Sequence, residues 1–163
     1  MEVEVLLERP AQESRLRDNV RRHTPPRLNH RIDQAMMKRI MEYARKSPEE
    51  IGARITELDR EWDLERVVET GAGTVALTGV LLSGMKSRKW LMISAVTLGA
   101  LLQHSLTRRS LPIKALRALG VRTRREIDAE KYALRVLRGD FDHLKSVSDE
   151  SHRAVEALRL SRP

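Results

Sequence analysis

The run Thr70-Gly71-Ala72-Gly73-Thr74-Val75-Ala76-Leu77-Thr78-Gly79-Val80-Leu81-Leu82-Ser83-Gly84-Met85, then Lys86-Ser87-Arg88-Lys89, then Trp90-Leu91-Met92-Ile93-Ser94-Ala95-Val96-Thr97-Leu98-Gly99-Ala100-Leu101-Leu102-Gln103-His104-Ser105-Leu106-Thr107, decides the reading of this chain. Neither apolar stretch holds an Asp, Glu, Lys or Arg, although 33% of the 163 residues are charged. So short a connection makes the two stretches antiparallel neighbours, and the pattern predicts a helical hairpin. As helices, residues 67–85 would rise roughly 28 Å and residues 90–106 roughly 25 Å, close to a hydrocarbon layer of about 30 Å. A mean hydropathy of −0.47 hides this concentration of apolar residues. The expectation is an all-α protein: a two-helix transmembrane hairpin over residues 67–107 with flanking amphipathic helices.

Helices in lipid gain little from burying apolar surface against each other, so they hold together through close backbone approach. Ala72, Ala76, Gly79 and Ser83 line one face of the first stretch at spacings of four, three and four, and Ala95 and Gly99 form a small-xxx-small pair in the second. Folding about the loop is expected to place Ala76 beside Gly99. Gly and Ala are also simply common in membrane helices, and that alternative stays open. The hairpin as a whole is also expected to serve as a self-association module, giving a homodimer. Trp62 and Trp90 fit an aromatic belt, with Lys86, Arg88, Lys89, Arg108 and Arg109 at the membrane interface. Glu69 and His104 are ionisable groups near the span ends; snorkelling to the interface is the simpler reading for Glu69, and a polar intramembrane pair is the functional one.

Outside the hairpin the chain reads in consecutive blocks. Residues 1–28 lack a sustained period and end near Pro25-Pro26, which predicts a mobile arm. Residues 29–66 read as an amphipathic helical pair, the first helix capped by Asn29 and carrying Ile32, Met36, Ile40 and Tyr43 on one face. Ser47-Pro48-Glu49-Glu50 is a capping box with proline in the first turn, followed by a stripe of Ile51, Ile55, Leu58 and Trp62. The two stripes are expected to pack on each other, or to form an interfacial or partner-binding surface. No proline lies between Arg54 and Leu111, so the second helix can continue into the hairpin. Residues 108–163 form a basic helical region: a short helix stopped by Gly120, a helix opened by Thr123-Arg124-Arg125-Glu126 that carries Ile127, Leu134 and Leu137 and ends at Gly139, and a weak final helix marked by Val155 and Leu158.

Thirty-one Lys and Arg against 23 Asp and Glu favour anionic partners, and among these the anionic head groups of membrane lipids suit the hairpin better than nucleic acid. The absence of Cys removes thiolate nucleophiles and thiolate metal ligands. The acidic start, residues 1–10, does not look like a cleavable signal. His23, His30, His104, His143 and His152 show no spacing that would put two ligands on one helix face, so no metal, cofactor or catalytic residue is assigned, and no enzyme activity is expected. Gly71-Ala72-Gly73 lacks the preceding strand of a phosphate loop and reads as packing. Ten basic residues flanking the hairpin (Arg54, Arg60, Arg66, Arg108, Arg109, Lys114, Arg117, Arg122, Arg124 and Arg125) against three in its loop favour cytoplasmic termini.

Trp62-Asp63-Leu64-Glu65-Arg66-Val67-Val68-Glu69 before the first stretch, Lys89-Trp90-Leu91 before the second, and Leu111-Pro112-Ile113-Lys114-Ala115-Leu116-Arg117-Ala118-Leu119-Gly120-Val121-Arg122-Thr123 after it resemble the YgaP-like inner-membrane domain of bacteria. That family's pattern runs x-D-R-I-I-R, a two-helix membrane hairpin, and C-P-L-Y-x-L-L-G-I-S-T. The resemblance covers about residues 62–123 and departs from the family where Leu111 replaces the Cys before Pro. It implies a bacterial cytoplasmic-membrane module. It does not imply the sulfurtransferase activity of members that also carry a rhodanese domain. The competing reading is a soluble, basic, all-helical binding protein for nucleic acid or a protein partner, with the hairpin as its buried core.

Overall fold

The computed structural model describes residues 18–107 and 111–161, and every regular element among them is helical. In chain order these are α1 (Asn19–His23), α2 (Pro26–Tyr43), α3 (Pro48–Arg60), α4 (Leu64–Met85), α5 (Trp90–Thr107), α6 (Leu111–Ala118), α7 (Arg124–Arg138), a 3-10 turn (Asp142–Lys145) and α8 (Glu150–Ser161). The helices divide into two units that are discontinuous in sequence. One takes in residues up to Ile32 and Trp62–Arg124, and the other Asp33–Glu61 and residues from Arg125 on. Blocks read consecutively from the sequence therefore interleave, because α6 returns to the start of α4, and α7 to α3.

The hairpin unit is closed at its base by an apolar cluster of Val20, Leu64 and Ile113, flanked by Leu116 and Val121. No proline separates α3 from α4, yet the helix breaks at residues 61–63. Asp63 stops it by capping α4, accepting from the Arg66 amide at 2.8 Å, while the Leu64 amide donates to the Arg122 carbonyl at 2.9 Å. Gly120, at φ +88°, ends α6 as the spacing predicts. Its amide donates to Arg117 O and that of Val121 to Leu116 O, both at 3.0 Å, the paired bonds of a left-handed helix stop.

Part of the expected N-terminal arm is ordered differently. Residues 1–17 lie outside the described residues, but Asp18 caps α1, accepting from the Val20 and Arg21 amides, and Val20 and Arg21 are buried. Asn29 is not a cap. The helix starts three residues earlier at Pro26, where proline's missing N–H costs nothing, and Asn29 lies inside it, 1% exposed.

In the second unit Ser47 and Glu50 form the expected capping box. Ile51, Ile55 and Leu58 meet Ile127 and Leu134 of α7, with Tyr43 at the edge, so α7 supplies the main partner of the α3 stripe. Trp62, which the same spacing adds to that stripe, belongs to the other unit and is half exposed, and Leu137 is exposed on α7. Glu130 is fully buried between Arg39 and Arg54, with Nη2–carboxylate distances of 3.0 and 3.1 Å. Beside it Lys131 pairs with Asp59. Two guanidinium groups on one carboxylate supply the compensation that a buried charge requires.

Candidate membrane hairpin and its base

α4 rises roughly 33 Å and α5 roughly 27 Å at 1.5 Å per residue, so their lengths match a bilayer core. Among the described residues one helix, ending at Met85, is long and apolar enough to cross a membrane, and 17% of its most apolar window is buried; the apolar part of its partner, Trp90–Gln103, is shorter. The two pack against each other along a narrow seam. From α4 the seam receives Ala76 and Gly79, both buried, with Ala72 and Ser83 partly covered at its edges. All four lie on the face that the small-residue spacing marks out.

The α5 side of the seam is different from the expected one. Ala95 is exposed and nothing lies within 4 Å of a Cβ built on Gly99, so Gly99 does not sit beside Ala76. The covered positions are Trp90, Ser94, Thr97 and Leu101, again spaced four, three and four, with Ser94 buried. The cause is a polar contact. Ser94 Oγ donates to the Ala76 carbonyl at 2.8 Å, and its side chain fills the hollow over Gly79. A Cβ on Gly79 would clash with that hydroxyl and would lie 3.0 Å from the Trp90 carbonyl oxygen. This bond rotates α5 so that Ala95 and Gly99 turn outward. The four-and-three spacing of Trp90, Ser94 and Thr97 is the sequence signal for this face, whereas residue size alone favours Ala95 and Gly99.

Four further hydroxyls of the hairpin are satisfied within their own helices. Thr74, Thr78 and Thr97 each donate at 2.8 Å to the carbonyl four residues before, and Ser83 donates to Val80 O at 2.6 Å. Around the hairpin, twelve large apolar side chains from Val75 to Leu106 are 43–82% exposed. Lys86, Arg88 and Lys89 are exposed at the tip. Trp62, at the base, is 47% exposed and stacks with Arg66, whose guanidinium carbon lies 4.7 Å from the ring centre; Trp90 is partly covered near the tip. Glu69 is exposed on α4. Arg108, Arg109 and the side chain of His104 lie outside the described residues, so no Glu69–His104 geometry is described.

A buried polar bridge secures the base. Arg117, 1% exposed, donates to Asn29 Oδ1 at 2.7 Å and to Val121 O at 3.2 Å, while Asn29 Nδ2 donates to Arg21 O at 2.9 Å. Thr123 Oγ1 donates to Asp18 Oδ2 at 3.1 Å. Arg117 and Arg122, two of the ten basic residues that flank the hairpin in the sequence, are both buried. No sequence signal linked Asn29 to Arg117, since the pair is 88 residues apart. Among the described residues no group of three or more His, Cys, Asp or Glu is placed to hold a metal.

No family model matches the chain, and the comparisons with curated proteins and with solved structures return no match. The likeness to the YgaP-like domain rests on the motifs quoted above.

Proposed function

We propose that this chain is a small integral membrane protein of the YgaP-like type, with no catalytic activity of its own. Its hairpin serves as membrane anchor and self-association module in a bacterial cytoplasmic membrane. The observation that carries the reading is the bare apolar surface on α4 and α5. A soluble monomer rarely leaves a contiguous apolar patch larger than a few hundred Å² in water, and here both helices expose Leu, Val, Ile and Met on every side away from one seam. The internally satisfied hydroxyls support it, because polar groups in hydrocarbon need partners that water cannot supply. The same exposure disfavours a soluble nucleic-acid binder built around a buried hairpin.

In this reading the base faces the cytoplasm and the tip, Lys86 to Lys89, the far side. Alkaline carbonate extraction of membranes from expressing cells tests the anchor: the protein stays in the pellet and needs detergent for release. Quantitative recovery in the soluble fraction without detergent overturns it. Accessibility of a single Cys at Ser87 to an impermeant maleimide tests the topology, with labelling expected only from outside the cytoplasm.

A further inference from the structure

We propose that the base of the hairpin unit is a collar for anionic phospholipid head groups, formed by Arg22, Arg27, Arg31, Arg66 and Lys114. The proposal rests on the membrane reading above and adds which lipid the protein selects and through which residues. All five side chains are exposed. They come from four elements that the Val20–Leu64–Ile113 cluster and the Asn29–Arg117 bridge draw to the same end of the hairpin.

The local sequence orients them. In the first turns of α2, Asn29 and Ile32 are buried, which leaves Arg27 and Arg31, four residues apart, on the opposite face with exposed His30 between them. On α6, Ile113 and Arg117 point inward and Lys114 outward. Arg22 is exposed beside buried Arg21 on α1. Arg22, Arg27, Arg31 and Lys114 form no ion pair among the described residues. The acidic groups of this end are fewer: Asp18 is engaged with Thr123 and the α1 amides and Asp63 caps α4, and Glu65 and Glu69 are exposed.

Charge of this density at the foot of an apolar hairpin complements a phosphate-bearing surface. Each cation near an anionic leaflet contributes about 1 kcal/mol, roughly a fivefold enrichment. Arg66, stacked on half-exposed Trp62, combines a phosphate-binding guanidinium with a ring suited to the carbonyl region of the interface.

Trp62 and Trp90 are the only tryptophans, so a Trp90→Phe chain reports on the base alone. This chain is reconstituted in phosphatidylcholine vesicles containing one-fifth phosphatidylglycerol, with bromine on the acyl chains of one lipid at a time, and Trp62 quenching is measured per mole of brominated lipid. Quenching by the anionic lipid should exceed that by the neutral one by at least about twofold, should fall to parity in about 0.5 M salt, and should fall to parity in the Arg22→Gln, Arg27→Gln, Arg31→Gln, Lys114→Gln variant. Neutralising Lys86, Arg88 and Lys89 at the tip should leave the preference intact. Equal quenching by both lipids in the unsubstituted base overturns the collar and leaves the membrane reading standing, as does a preference that survives salt and the fourfold change. Quenching by neither lipid overturns both.

Discussion

Ser94 donates its hydroxyl hydrogen to the main-chain oxygen of Ala76 at 2.8 Å, directly over Gly79. A side chain on one helix thus ends on the backbone of the other, which is feasible only where neither partner carries bulk. Gly79→Leu should therefore loosen the hairpin markedly, and Gly99→Leu should be tolerated, although the two substitutions add the same apolar surface. Ser94→Ala should fall between them, costing about 0.6 kcal/mol and at most about 1.7, the range for hydrogen bonds between membrane helices. Thermal stability of the three variants in one detergent decides the order. A Gly99→Leu protein less stable than Gly79→Leu would contradict the observed seam.

Asn29 is the neutral partner of a buried guanidinium, and its loss leaves Arg117 short of an acceptor and Arg21 O short of a donor. Asn29→Ala should destabilise the hairpin unit by about 1.5–3 kcal/mol, as for hydrogen bonds to charged groups. Pulse proteolysis in detergent with increasing urea measures this. A change below about 0.5 kcal/mol would mean the bridge contributes only register.

Glu130 holds two arginines, and removing the shared carboxylate takes the buried ion-pair partner from each, although Arg54 keeps Glu57. Glu130→Gln should cost about 3–5 kcal/mol in the second unit. Arg39→Gln should cost distinctly less, because Arg39 is one-third exposed and Arg54 stays paired with the carboxylate. Urea titration of α-helical ellipticity compares the two, and equal losses would refute the shared-partner account.

Asp140 accepts a two-pronged hydrogen bond from Arg138, at 2.7 and 2.6 Å, which holds its carboxyl below the usual aspartate value. A depressed acid contributes stability in full above its unfolded pKa, about 3.9, and loses it as pH falls through the lower folded value. The stability difference between the unsubstituted protein and Asp140→Asn should be constant from pH 7 to about 5 and shrink below about 4. Denaturation midpoints across that range test it, and a difference that grows on acidification would reverse the assignment.

The features legible in the residues are those made by neighbours a few positions apart. Ser47 with Glu50, Gly120 after α6 and Gly139 after α7, where φ is +85°, act within one helical turn, and the hairpin follows from two uncharged runs and a four-residue loop. The small-residue face of α4 was also legible, since Ala76 and Gly79 lie on the one side where a second helix can approach.

What only the tertiary structure decided is which distant group answers each buried polar one. Asn29 resembles a helix cap until Arg117 arrives from 88 residues away, and Glu130 resembles a surface charge until Arg39 and Arg54, 91 and 76 residues distant, close on it. The rotation of α5 was set in the same way, by one hydroxyl finding one carbonyl, and that choice turned Gly99 outward. Helix formation is local and follows periodicity, whereas the burial of a charge or hydroxyl is stable only if chain folding delivers its partner, and no spacing along the sequence records that delivery.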